Sequence, residues 1–130
     1  MNGAKLLRFD EIEWDRPREN AAGARPPEEL VREAEHTGAR RKRIARGEGG
    51  FFMNHSCMPA GFRVPPHAHD HDELIVVLRG GCGFDDGLGE LGPNDSIVIR
   101  AGTRYGFTCG ADGMDFLTLR MGEASVDLAP

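Results

Sequence analysis

The sequence predicts one turn-rich all-β domain with a single short N-terminal helix, and three observations carry the β reading. Glycine at 18 and proline at 8 of 130 residues supply more breakers than a helical bundle tolerates. The run Leu74-Ile75-Val76-Val77-Leu78, closed by Gly80-Gly81, has the composition of a strand buried on both faces. A chain of 130 residues buries about two-thirds of the surface its unfolded form exposes, enough for one core and short for two.

The elements follow in order. Residues 5–13 alternate Leu6, Arg8 and Asp10 against Leu7 and Phe9, a short first strand closed by Trp14. Charge, Pro17 and small residues from Asp15 to Arg25 read as a surface loop. Pro26-Pro27-Glu28-Glu29-Leu30 starts a helix over 27–37, with acids in its first turn, a Glu28/Arg32 pair at i,i+4 and Gly38 as its stop. Its apolar face is only Leu30, Val31 and Ala34, so it needs other elements to hold it. Strands are expected over Phe51–Met58, through the 74–78 run, and over Ser96–Arg100, Tyr105–Cys109 and Met114–Met121, with turns at Asp85-Asp86-Gly87 and Gly92-Pro93-Asn94-Asp95. The segments are thus 1–45, a strand, loop and helix packed on the barrel; 46–122, the barrel core; and 123–130, a tail frayed or passed to a neighbouring subunit.

A formal charge of −5 and a pI near 5.5 disfavour nucleic acid and anionic membranes as partners. Arg40-Arg41-Lys42-Arg43 is the exception, and before Ile44-Ala45 it reads as a solvated strand or a salt-bridged dimer edge. Cys57, Cys82 and Cys109 are odd in number and lack knuckle spacing, so a reducing cytoplasm and small core residues are expected. The first ten residues have no signal-peptide apolar core, and no stretch is long enough to span a bilayer. Neither Gly47-Glu-Gly-Gly50 nor Gly80-Gly-Cys-Gly83 opens a helix, which excludes a phosphate loop, and no nucleophile elbow is present.

The chemistry concentrates in one stretch, where His67, His69, His71 and Glu73 share parity and lead into the apolar strand. Alternate residues of a strand point the same way, so imidazoles and a carboxylate there can meet one ion. A buried polar group at the head of a core strand is costly unless paired or bound to metal.

Gly61, His67, His69, Glu73 and Gly80 match every defined position of the first motif of the cupin family, Gly-x5-His-x-His-x3-Glu-x6-Gly. The chain resembles that family. Its second motif, Gly-x5-Pro-x-Gly-x2-His-x3-Asn, falls on Asn94 to Cys109 with the spacing intact and only Gly102 identical; Asn94, Arg100, Tyr105 and Cys109 replace the glycine, proline, histidine and asparagine. The resemblance implies an antiparallel jelly-roll β-barrel of six to eight strands around a metal, often dimeric, used by enzymes and by non-catalytic binding proteins alike. It implies His67, His69 and Glu73 as metal ligands and leaves His71 free.

Two histidines and one carboxylate leave open positions on one divalent transition metal, with iron, manganese, nickel and zinc all compatible. Three readings compete for Tyr105, the candidate catalytic residue: a phenolate ligand, a hydrogen-bond donor beside the metal, and a packed aromatic. A free phenol titrates near 10, so ligation at neutral pH requires a large downward shift. His71 and His55 are candidate substrate contacts, His55 read also as a satisfied core histidine; His36 on the helix needs no role beyond exposure. Arg63 and Arg104 flank the motifs and could hold a carboxylate. Ile75 and Val77 should line the cavity, while Leu74, Val76 and Leu78 form an outward row that must meet another layer or a second subunit, making a homodimer the expected state. The functional expectation is a cytoplasmic metal-binding cupin acting on a small polar organic molecule by oxygenase, isomerase or lyase chemistry. The alternative is a non-catalytic binding or sensory protein with a structural metal.

Overall fold

The computed structural model describes residues 3–15 and 38–122, together with the backbone of 126–127. The expected helix over 27–37, with His36, lies outside the described residues. Among the described residues no helix is long and apolar enough to cross a membrane.

Among the described residues eight strands carry the fold: β1 Arg40–Arg46, β2 Phe52–Met58, β3 Arg63–His69, β4 Glu73–Phe84, β5 Glu90–Leu91, β6 Ser96–Ile99, β7 Tyr105–Arg120 and β8 Val126–Asp127. All pairings are antiparallel. The strand expected over 5–13 is absent. Its place is taken by extended chain and one 3₁₀ turn at Phe9–Glu11, because a short alternation without a paired neighbour gives the backbone no ladder. The two strands expected at 105–109 and 114–121 are one continuous strand, β7. The tail is corrected in part: Asp127 and Val126 pair with Ala68 and His69 of the same chain. β1 crosses residue 45 and belongs to the sheet, so Arg40-Arg41-Lys42-Arg43 is a strand, but not a solvated one: Lys42 is buried and Arg41 and Arg43 are half-buried.

β7 organises the molecule. Its second half pairs with β2 and with the start of β4, while its first half pairs with β3 and the end of β4. β4 and β7 fold over at the same level, and the register shifts between Gly80 and Cys82 mark the bend. Gly80 and Gly113 make it possible: both sit at φ of 71°, and a Cβ on either would run into backbone, of Gly113 and Met58 respectively. The two halves of β7 then face each other, so Phe107 and Phe116 meet edge to face with centroids 6.1 Å apart.

Between the layers lies one core of Phe62, Val64, Ile75, Val77, Phe84, Phe107, Cys109, Met114 and Phe116 among others. Ile75 and Val77 are 2% and 0% exposed, whereas Leu78 on the opposite parity is 44% exposed, which confirms the inward and outward rows. All three cysteines are free; Cys82 and Cys109 are core residues and Cys57 is half-buried. The far end of this interior is apolar, and the polar side chains gather where β4 begins and β7 ends.

Candidate metal centre

β3 reaches the centre through Pro65-Pro66, which donate no backbone hydrogen bond, and its register against β7 shifts between Val64 and His67. The shift sets His67 opposite Tyr105. His67 Nδ1 donates to the Pro65 carbonyl at 2.8 Å, which fixes the tautomer and leaves Nε2 with a lone pair. That Nε2 faces His69 Nε2 at 3.1 Å, and His69 Nε2 lies 3.2 Å from Tyr105 Oη. Tyr105 Oη donates to Glu73 Oε1 at 2.7 Å, and Arg120 Nη1 donates to Glu73 Oε2 at 2.6 Å. Glu73 Oε2 is 3.8 Å from His69 Nε2. Glu73, His67 and Tyr105 are all buried.

Electrostatics follow from that burial. Desolvation lowers the His67 pKa against the pull of its Pro65 hydrogen bond, so the ring is held neutral, the form that binds metal. Desolvation first, then the charge of Glu73 and the hydrogen bond to it, raise the Tyr105 pKa, so the phenol keeps its proton.

The two imidazoles could share a cation, although His67, His69 and Glu73 do not bring three ligand atoms within 4.8 Å of one another. Two facing Nε2 atoms 3.1 Å apart have the separation of adjacent ligands meeting one ion at near a right angle, given metal–nitrogen bonds of about 2.1 Å. Glu73 keeps lone pairs beyond the two it offers to Tyr105 and Arg120.

Arg120 is the site residue that sequence reasoning missed. It shares parity with the inward-facing Phe116, and that signal is readable only once 105–120 is known to be one strand. Arg41 and Arg43 join it from β1: they oppose Ser56 and Asn54, which in turn oppose Phe116 and Thr118. Directly opposed residues share a face, and Ser56 and Phe116 are buried, so this face turns inward. Asp15 closes the edge, with its Oδ2 3.5 Å from Arg41 Nε and 2.6 Å from Arg43 Nε.

The other face of the same strands carries a second group. Among the described residues, the one set of three His, Cys, Asp or Glu ligand atoms all within 4.8 Å of one another is His55, Cys57 and Asp115. Arg79 holds Asp115 from both sides, Nε to Oδ2 at 3.1 Å and Nη2 to Oδ1 at 3.2 Å. Burial and the hydrogen bond to Asp115 push the Cys57 thiol up to about 11. Phe9 packs on His55 at a tilt, with ring centroids 4.8 Å apart, Trp14 meets it edge-on, and the Lys42 ammonium lies 3.7 Å from the Phe9 ring centroid.

The remaining sequence candidates fall outside the inner group. His55 lies on this outer face, one parity step from the inward Ser56. Arg63 is exposed and pairs with Asp85 at 3.1 Å. His71 bonds exposed Asp70 at 2.8 Å. Arg104 stands at the rim, where its Nη2 donates to the Pro66 carbonyl at 3.3 Å and its charge adds to the lowering of the His67 pKa.

No protein-family model and no curated protein matches the sequence. Solved structures match its fold. The polyketide cyclase RemF from Streptomyces resistomycificus gives a TM-score of 0.68 at 20% identity, covering 98% of this chain and 87% of its own. KdgF from Halomonas sp. gives 0.66 at 18% identity, covering 92% and 96%. A sugar phosphate isomerase from a cupin superfamily, from Silicibacter pomeroyi, gives 0.66 at 22% identity, covering 92% and 76%. At such identities the likeness is one of fold.

Proposed function

Because the chain has the cupin fold, we propose that it is a metal-binding barrel acting on a small polar organic molecule. His67 Nε2, His69 Nε2 and Glu73 are the ligands and Tyr105 is the proton-bearing group beside them. The observation that carries this is the His67–His69 pair, two Nε2 atoms 3.1 Å apart with the first ring locked by Pro65. The solved relatives include a polyketide cyclase and a sugar phosphate isomerase, which supports small-molecule chemistry in such a barrel.

A bound iron, manganese, nickel or zinc ion would polarise a substrate oxygen or activate water or dioxygen. The chain's own residues do the rest. Pro65 holds the His67 tautomer, and Arg120 offsets the buried charge of Glu73. Tyr105 holds a proton at Oη, 3.2 Å from His69 Nε2, where it can orient or protonate a bound molecule. On this reading the phenol is a donor rather than a phenolate ligand. The non-catalytic alternative draws on one fact, that both oxygens of Glu73 already accept a hydrogen bond.

The same reading includes a homodimer and a cytoplasmic setting. The apolar outward row, continued by Val98 at 65% exposure, supports the first, and three free cysteines support the second.

Elemental analysis of protein purified without chelator or affinity tag tests the assignment. The expected result is one divalent metal per chain, lost in His67→Ala and retained in Cys57→Ser and His71→Ala. Metal retained in His67→Ala and lost in Cys57→Ser would move the centre to the outer face and sink the proposal.

A further inference from the structure

We propose that the interior beside Glu73 receives an oxyanion, the carboxylate or phosphate of the small molecule, with Arg120 and Arg43 as its hydrogen-bond donors. This rests on the reading of the barrel as a small-molecule site and names the class of molecule.

The placement is set by register. Arg43 opposes Asn54, Asn54 opposes Thr118, and Arg120 follows Thr118 at the same parity, so both guanidinium groups rise from one inward face. Arg41 shares that face, and the side chains of Arg120 and Arg43 are largely withdrawn from water, 12% and 23% exposed. Burial lowers the Arg41 pKa, and the like charges of Arg43 and Arg120 add to that against Asp15, so the cluster behaves as one electrostatic unit.

Donors are left over. Arg120 spends Nη1 on Glu73, while its Nε is buried with no acceptor among the described residues. Arg43 Nε lies 2.6 Å from Asp15 Oδ2, but the pair is not aligned as a hydrogen bond, and both atoms are buried without one. A buried guanidinium N–H without an acceptor is costly, and a carboxylate or phosphate is the acceptor that fits its fork. The location gives the arrangement a use. Glu73 Oε2 is flanked by Arg120 at 2.6 Å and His69 at 3.8 Å, so an anionic group on Arg120 sets the rest of its molecule against His67, His69 and Tyr105. The net charge of −5 provides no general attraction for anions, which makes binding a property of this cluster alone.

Proton–nitrogen correlation spectra of the Arg Nε–H groups test this, with glycolate, inorganic phosphate and neutral ethylene glycol titrated into chelator-treated protein. The expected result is a saturable downfield shift of the Arg120 and Arg43 signals with glycolate or phosphate and none with ethylene glycol. The tighter of the two anions identifies the headgroup. Arg43→Gln and Arg120→Gln should each weaken binding tenfold or more, and Arg63→Gln should leave it unchanged. Arg43 lies at the sheet edge, so Arg43→Gln decides the matter if Arg120→Gln fails to fold. No saturable shift with either anion, or equal binding of ethylene glycol, overturns the proposal. Metal uptake at His67 and His69, measured on the same sample, would then leave the functional reading standing; absence of both metal and anion binding would take that reading down as well.

Discussion

Each side of the β2–β7 pair meets a group of histidine, carboxylate and arginine, in part supplied by β3 and β4, and the two groups are used differently. On the outer face His55, Cys57 and Asp115 are the more tightly clustered, with ligand atoms all within 4.8 Å. Yet the charges there are already matched: Arg79 takes both oxygens of Asp115, and the thiol of Cys57 is held protonated. On the inner face the imidazole of His67 is neutral and tautomerically fixed, and its lone pair points at a second imidazole. Proximity of ligand-type atoms is therefore a poor guide by itself. Glu73 and Asp115 are each held through both oxygens, so the faces differ in their imidazoles and not in their carboxylates.

The largest effect that would sharpen this comparison comes from the arginines. Arg120 and Glu73 form a buried pair, 12% and 2% exposed, so Arg120→Gln leaves an unmatched carboxylate in the interior. The expected loss is about 3–5 kcal/mol in denaturant unfolding. A loss under about 1 kcal/mol would mean that water reaches Glu73 and that the inner face is no drier than the outer.

Next comes Tyr105→Phe, which keeps the ring and removes the donor to Glu73 Oε1. A hydrogen bond to a charged group is worth about 1.5–3 kcal/mol, and metal affinity should fall by roughly ten- to a hundredfold as the carboxylate loses its orientation. Unchanged affinity with lowered stability would reduce Tyr105 to a packing role.

Acid titration ranks the two faces directly. Burial depresses the folded-state pKa of both His67 and His55 below the ordinary 6.5. The unfolded chain therefore takes up protons first as pH falls. Stability is full above pH 6.5 and is lost as pH drops from there through the folded values. In metal-free protein, His67→Gln should flatten that slope more than His55→Gln, since His67 is the more deeply buried. Asp115 is a separate case, because its pKa is depressed from 3.8, chiefly by Arg79 against the opposing effect of burial, and its loss begins only below that value. A greater flattening by His55→Gln would reverse the ranking.

Much of the inner face was legible in the sequence. The parity of His67, His69 and Glu73, and of Ile75 and Val77 beyond them, needs only the two-residue repeat of a strand, and burial bears out that alternation. Arg120 was not legible, because it lies 47 residues from Glu73 and its parity depends on β7 running unbroken through Gly110 to Gly113. His55 was read as a cavity candidate, although its neighbour Ser56 is the inward residue. Nothing local distinguishes the two, since the decision rests on Phe9 and Trp14 covering the outer face from 40 or more positions away. Register within one strand is a local property, and the choice of which face becomes interior is not.

The smallest effect tests whether the outer face is a solvated ion-pair surface. The side chain of Arg79 is 58% exposed where it grips Asp115, and it also donates from Nη1 to the Asp112 carbonyl at 2.9 Å. An exposed pair gains little net free energy because water and side-chain entropy compete with it, and salt screens what remains. Arg79→Gln should therefore shift the unfolding midpoint far less than Arg120→Gln, and molar sodium chloride should erase most of the difference from wild type. The Arg120 variant should stay destabilised at every salt concentration, because mobile ions do not enter the interior. If salt instead closed the gap for Arg120→Gln, the inner carboxylate would be as wet as the outer one. The distinction between the two faces, on which the metal assignment depends, would then fail.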